Sequence, residues 1–178
     1  MRNAVILCYG DSNTYGYDPR GYFGGRYDAP WPELLGELTG WTVRNEGSCG
    51  RGIPLRETVF PGNSDLMIVM LGTNDLLQGA SAAQAGERMR SFLSGTDREK
   101  VLLLPPPPMV RGEWVSGDGL IDASRQLASV YRELADRLGI RFLDTGAWEI
   151  PMAYDGVHFT EEGHRRFAEQ LKEELFLA

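Results

Sequence analysis

Three stretches of this chain hold nothing but apolar side chains: residues 4–9 (AVILCY), 66–71 (LMIVML) and 101–104 (VLLL). None alternates with polar residues, so none reads as a strand with one wet face. All three are too short to be buried helices. Strands covered on both faces remain, and such strands belong to parallel sheets, whose crossovers put helices above and below. Each run also stops abruptly. Gly10 closes the first, Gly72 the second, and Pro105 to Pro108 the third, where the missing N–H groups cannot continue a ladder.

Helical patterns separate these runs. Residues 30–38 place Trp31, Leu34, Leu35 and Leu38 on one face, with Gly40 as the stop. Residues 81–92 are helical in composition. Residues 121–138 repeat Leu127, Val130, Tyr131, Leu134 and Leu138 at spacings of three and four, and Gly139 ends them. Thr160 reads as an N-cap for a last helix over 161–175, with Glu161 and Glu162 favouring the helix dipole. Residues 41–44 and 140–143 supply two shorter strands. Residues 13–29, rich in Gly, Tyr, Asp and Pro, read as a long loop. Five strands alternating with helices predict an α/β fold: a three-layer α/β/α sandwich on a five-stranded parallel sheet, with residues 1–178 forming one domain.

Composition narrows the partners. A chain of 178 residues buries enough surface to fold without disulfide or metal. With 25 acidic and 18 basic side chains the formal charge is −7, and no basic run stands out. Nucleic acid and anionic membranes both need a positive face, so neither is expected as a partner. The longest apolar stretch, 101–110, is interrupted by four prolines and falls short of the roughly 18 residues of a membrane span. The apolar run at residues 4–9 is too short for a signal-peptide core, and no small-residue cleavage site follows. Two cysteines, Cys8 and Cys49, without a C-x-x-C pattern, read as free thiols in a reducing compartment. A cytoplasmic location is therefore expected.

Parallel sheets of this class gather their chemistry beyond the carboxyl ends of the strands. Four segments fall there: Gly10-Asp11-Ser12-Asn13, then Asn45 to Gly50, then Gly72-Thr73-Asn74-Asp75, and Asp155-Gly156-Val157-His158. Together they hold a hydroxyl, a carboxamide, a carboxylate, an imidazole and glycines that bare their amides. That set suits acyl transfer through a serine. A histidine can take the serine proton near neutral pH. Asp155, three residues before His158, is spaced to orient the ring. The amides of Ser12 and Gly50 and the carboxamide of Asn74 are candidate donors to an oxyanion.

These blocks resemble those of the SGNH (GDSL-type) hydrolases. The likeness rests on Gly-Asp-Ser, Asn-x-x-x-x-Gly, Gly-Thr-Asn-Asp and Asp-x-x-His in that order, and spans residues 4 to about 170. The segments ILCYGDS, NEG, MLGTND and DGVHFT are most similar to the bacterial arylesterase and acyltransferase-like branch. The resemblance implies a flavodoxin-like sandwich, with Ser12 as nucleophile, His158 as base, Asp155 as its orienter, and Ser12, Gly50 and Asn74 as the oxyanion hole. It implies hydrolysis of small acyl esters, with acyl transfer to alcohols open. Acetylated sugars, lysophospholipids and thioesters are further substrate classes of the family. No cofactor or metal is expected.

Several points stay open at this level. Gly47 competes with Gly50, and Asp144 with Asp155. Asn13 replaces the family's usual leucine, and only a local packing change is expected of it. His164, beside Arg165 and Arg166, reads as a solvated surface residue. Asp11 and Asp75 read as loop-holding groups. Tyr15, Tyr17, Tyr22, Phe23, Trp114 and Trp148 line an acyl or alcohol pocket or simply pack their loops. Pro105 to Pro108 form a wall beside the site or a contact between copies, so a homo-oligomer is left open. From another class, Ser12 to Gly16 after the first strand suits a flavodoxin-like phosphate- or flavin-binding loop.

Overall fold

Apolar strands with nowhere to hide one face build the centre of the molecule. The computed structural model describes residues 3–21, 24–56 and 62–177. Tyr22 and Phe23, two of the candidate pocket aromatics, lie outside these. The central sheet contains β1 (Val5–Gly10), β4 (Thr42–Gly47), β5 (Leu66–Met70), β6 (Val101–Leu104) and β7 (Arg141–Phe142). The order is β4-β1-β5-β6-β7, and every pair is parallel. This is the five-stranded, doubly covered sheet that the apolar runs require.

Alternate residues of each strand feed opposite layers. Leu7, Met67, Val69, Val101 and Leu103 pack under α4 (Ala82–Leu93) and α5 (Asp118–Leu138). Ile6, Cys8, Ile68, Met70, Leu102 and Leu104 pack under α2 (Trp31–Thr39) and α6 (Glu161–Leu177). Ser81 starts α4 with a reciprocal capping box to Gln84. The Thr160 hydroxyl accepts from the Gly163 N–H at 3.0 Å, the cap expected for α6.

The differences from expectation follow from position. β4 runs three residues past Arg44 because it is an edge strand with one neighbour, where polar side chains cost little. β7 forms over two residues, at the opposite edge. The long helix begins at Asp118, three residues earlier than its apolar pattern shows. The loop after β1 is also structured. It contains the one-turn helix α1 (Ser12–Tyr15) and an antiparallel ribbon of β2 (Tyr17–Asp18) and β3 (Gly25–Arg26). A further short helix, α3 (Thr73–Leu77), follows β5. These elements crowd one edge of the sheet, at the carboxyl ends of β1, β4 and β5.

Candidate active site

Ser12 stands where β1 turns into α1. The Asp11 carboxylate accepts from the Asn13 N–H at 2.9 Å, and the Asp11 carbonyl accepts from Thr14 and Tyr15. The turn is possible only because glycine lies beneath it. A Cβ on Gly10 would come 2.0 Å from Thr14 Oγ1, and one on Gly47 would come 2.1 Å from the Tyr15 nitrogen. Two strands therefore end in glycine where α1 presses on them.

The imidazole arrives from the loop before α6. His158 Nε2 lies 3.0 Å from Ser12 Oγ, and His158 Nδ1 lies 2.6 Å from Asp155 Oδ2. The other Asp155 oxygen accepts from the amides of Val157 (2.9 Å) and His158 (3.0 Å). Asp155 has no exposed surface, yet its carboxyl is held below the ordinary value. Burial alone would raise it, but the hydrogen bonds from the His158 ring and from the two amides outweigh that. An anion at this place keeps the proton on Nδ1 and leaves Nε2 to accept from Ser12. Asp144, the competing carboxylate, instead pairs with Arg132 at 2.7 Å.

Asn13 has a role that its sequence context did not suggest. Its Nδ2 donates to the Val157 carbonyl (3.0 Å), and its Oδ1 accepts from the Phe159 N–H (2.9 Å). One side chain thus grips the backbone on both sides of His158 and ties the imidazole loop to the serine turn. A leucine there could make neither bond. The signal was present: an amide carries a donor and an acceptor together, which an isolated packing position does not need.

The oxyanion candidates lie around the same strand ends. The Gly47 N–H is already spent on Asn45 Oδ1 at 2.9 Å. Gly50 sits in an exposed turn at φ +75°, and among the described residues no group accepts from its amide. Of the two glycine amides, that of Gly50 is the one left without an acceptor among the described residues. Asn74 Nδ2 gives one hydrogen to the Arg51 carbonyl at 3.1 Å, and among the described residues no group accepts its second. The Arg51 guanidinium in turn reaches the carbonyls of Gly10 (3.1 Å) and Glu46, and lies over the Tyr9 ring at 4.2 Å. Asp75 holds the next stretch, accepting from the Ile53 N–H at 2.9 Å and from Arg88 at 2.6 Å. The loop carrying Gly50 is thus fastened to β1, β4 and α3 at once. Asp11 and Asp75 hold loops, as expected.

The aromatics divide. Tyr17 and Trp114 both face His158, with ring centroids 4.7 and 5.3 Å away. Trp148 packs instead on Phe167, in the layer between the sheet and α6. Tyr15 lies under the Arg26 guanidinium. His164 corrects an expectation: it is fully buried, not solvated. Its Nδ1 accepts from the Trp31 N–H at 3.2 Å, and its ring lies between Tyr27 and Phe159. Among the described residues, no helix is long and apolar enough to cross a membrane.

Known proteins share this fold. The family model described as "GDSL-like Lipase/Acylhydrolase family" matches residues 8–166. The native aryl esterase of M. smegmatis superposes with a TM-score of 0.81 at 26% identity, covering 98% of this chain and 99% of that one. A structure described as a putative arylesterase from Agrobacterium tumefaciens str. C58 gives 0.79 at 30% identity, over 97% and 98% of the two chains. A carbohydrate acetylesterase family member from Sinorhizobium meliloti gives 0.79 at 27% identity, over 98% of each. No curated protein sequence matches significantly. An acid-oriented imidazole on a serine at the end of the first strand, in a sheet of this order and in a chain matched over residues 8–166, leads to one conclusion: the chain belongs to the GDSL-like lipase/acylhydrolase family, the SGNH hydrolases.

Proposed function

We propose that this chain is a cytoplasmic serine esterase that cleaves short acyl esters through an acyl-enzyme on Ser12. One observation carries the reading: the unbroken relay from Ser12 Oγ to His158 Nε2 (3.0 Å) and from His158 Nδ1 to Asp155 Oδ2 (2.6 Å). Ser12 Oγ attacks the ester carbonyl as His158 takes its proton. Asp155 stays ionised and stabilises the imidazolium. The oxyanion that forms draws on the amides of Ser12 and Gly50 and on the free hydrogen of Asn74. His158 then returns the proton to the leaving alcohol. Water, deprotonated by the same ring, releases the acid, and an alcohol in its place would give transesterification.

The substrate is a small acyl ester, with aryl acetates and acetylated sugars as the first candidates. Structural relatives described as arylesterases and carbohydrate acetylesterases support that choice. The formal charge of −7 weighs against nucleic acid or an anionic bilayer as partner. The free thiols of Cys8 and Cys49 support the compartment. Association of copies stays open, and light scattering on the purified chain measures it. A phosphate-binding role fits less well, because the Asp11 carboxylate already occupies the amide of Asn13 at the start of α1.

Ser12→Ala tests the assignment. The variant is expected to lose hydrolysis of an activated acetate ester and labelling by a fluorophosphonate while keeping its fold. Labelling retained in that variant sinks the reading.

A further inference from the structure

Trp114 is 51% exposed, although an indole is among the largest apolar groups a protein can present to water. It stands edge-on to His158, with centroids 5.3 Å apart and planes at 81°. Its backbone is tightly mounted. The Val110 N–H donates to Gly156, Glu113 to Tyr154 and Trp114 to Asp155, each at 3.0 Å. Gly112 bridges Val115 across the short turn. A Cβ on Gly112 would lie 2.4 Å from the Asp155 carbonyl carbon, so this turn presses directly on the loop that carries Asp155 and His158. The indole is therefore exposed on a rigid support, at a fixed place beside the base.

That place has a chemical meaning. His158 Nε2 must reach the leaving oxygen, at about 3 Å, to give its proton back. Whatever that oxygen carries leaves on the side of the imidazole's neighbours, where Trp114 and the partly exposed Tyr17 stand. A flat ring on the oxygen can lie against the indole, in the range of about 4.5–7 Å between centroids where aromatic rings attract. A short alkyl group gains little from such a surface.

We propose that Trp114 walls a leaving-group subsite for esters of ring-bearing alcohols, phenols or sugar hydroxyls, which it takes by contact with the ring face. The inference rests on the serine-esterase reading and names the half of the substrate that departs. Selectivity is then set in the acylation step and shows in kcat/KM.

The test compares kcat/KM for phenyl acetate, for a monoacetate of methyl glucoside and for ethyl acetate, in the wild type, Trp114→Ala and Trp114→Leu. Dividing each ring ester by ethyl acetate cancels any general effect on the triad. Both variants should lower that ratio by about tenfold for at least one ring ester. Loss for phenyl acetate alone identifies the aryl group as the natural fit, loss for the sugar ester alone identifies the sugar, and loss for both identifies ring contact as such. Leucine keeps apolar bulk without a flat face, and it carries the test if the alanine variant does not fold. Ratios within twofold of the wild type in both variants, or restored fully by leucine, overturn the subsite. A wild-type protein that cleaves none of the three esters and takes no fluorophosphonate overturns the esterase reading, and the subsite falls with it.

Discussion

Two buried histidines from neighbouring stretches of the chain are held in opposite ways. His158 is 4% exposed and His164 not at all. Both touch aromatic rings, but His158 has both nitrogens engaged and His164 only one. The difference lies in the partners. A carboxylate stands behind His158 and a hydroxyl in front of it. Behind His164 is the Trp31 N–H, which asks for an unprotonated nitrogen, and His164 Nε2 has no partner among the described residues. Burial, aided by the charges of Arg26 and His158, pushes His164 down to about 3. Burial beside other positive charges, with no anion at hand, therefore keeps His164 neutral. An anion behind His158 fixes its tautomer and leaves the other nitrogen facing the Ser12 hydroxyl.

Asp155→Asn is the largest test of that contrast. The carboxamide still accepts from the amides of Val157 and His158, but its NH₂ group now faces Nδ1. The ring must then carry its proton on Nε2, pointing it at Ser12. The kcat for an activated ester should fall by about 10³–10⁴-fold while the midpoint of thermal unfolding moves little. His164→Gln in the same assay should change kcat by less than about threefold, because nothing about that ring reaches the serine. If the two variants lose activity equally, the carboxylate is not what separates the two histidines.

The next effect is smaller and concerns how each ring is held. His164 rides on α6, whereas His158 sits in a loop and depends on Asn13 bonding to the backbone on either side of it. Asn13→Leu leaves the Val157 carbonyl and the Phe159 N–H unpaired in a buried place. The expected cost is about 2–4 kcal/mol in urea unfolding. A loss of about tenfold in kcat should accompany it as the imidazole drifts from Ser12. Unchanged stability would show that water or a backbone shift replaces both bonds.

How far the residues alone disclosed all this depends on which force shaped each element. The strands under double cover were plain, because continuous apolar runs such as LMIVML have no other stable use. That Ser12, Asp155 and His158 meet beyond the strand ends was plain from where the apolar runs stop and from the three-residue spacing. The end of β4 was not, since an edge strand tolerates Arg44, Asn45 and Glu46. One-turn α1 and the β2–β3 ribbon are held by glycine contacts and tertiary bonds, with no periodicity to reveal them. His164 was misjudged because Arg165 and Arg166 flank it. Its own spacing to Phe167, Ala168 and Leu171, at three, four and seven, puts it on the buried stripe of α6. Asn13 was missed because its partners lie more than 140 residues away.

The mildest effect is a slope against pH, and it sets His164 against Asp11. The fold lowers His164 from 6.5 to about 3, so its neutral form is favoured: that stability is present above about 6.5 and drains away as the pH falls toward 3. Asp11 runs the other way. Burial raises it from 3.8 to about 6, against the Asn13 N–H and the charges of His158 and Arg51. Its contribution is complete below about 3.8 and is lost as the pH rises through 6. Between pH 6 and 4 the two nearly cancel. Asp155, held low, adds loss only as the pH falls below the ordinary carboxylate range. Urea unfolding at pH 6, 5 and 4 reads this out. Asp11→Asn removes the gain on acidification and should make stability fall more steeply than in the wild type, by about 1.4 kcal/mol per pH unit. His164→Gln removes the loss and should tilt the slope the opposite way by a similar amount. Equal slopes in all three proteins would mean that neither group is held away from its ordinary titration. The contrast between the two histidines would then rest on partners and not on burial.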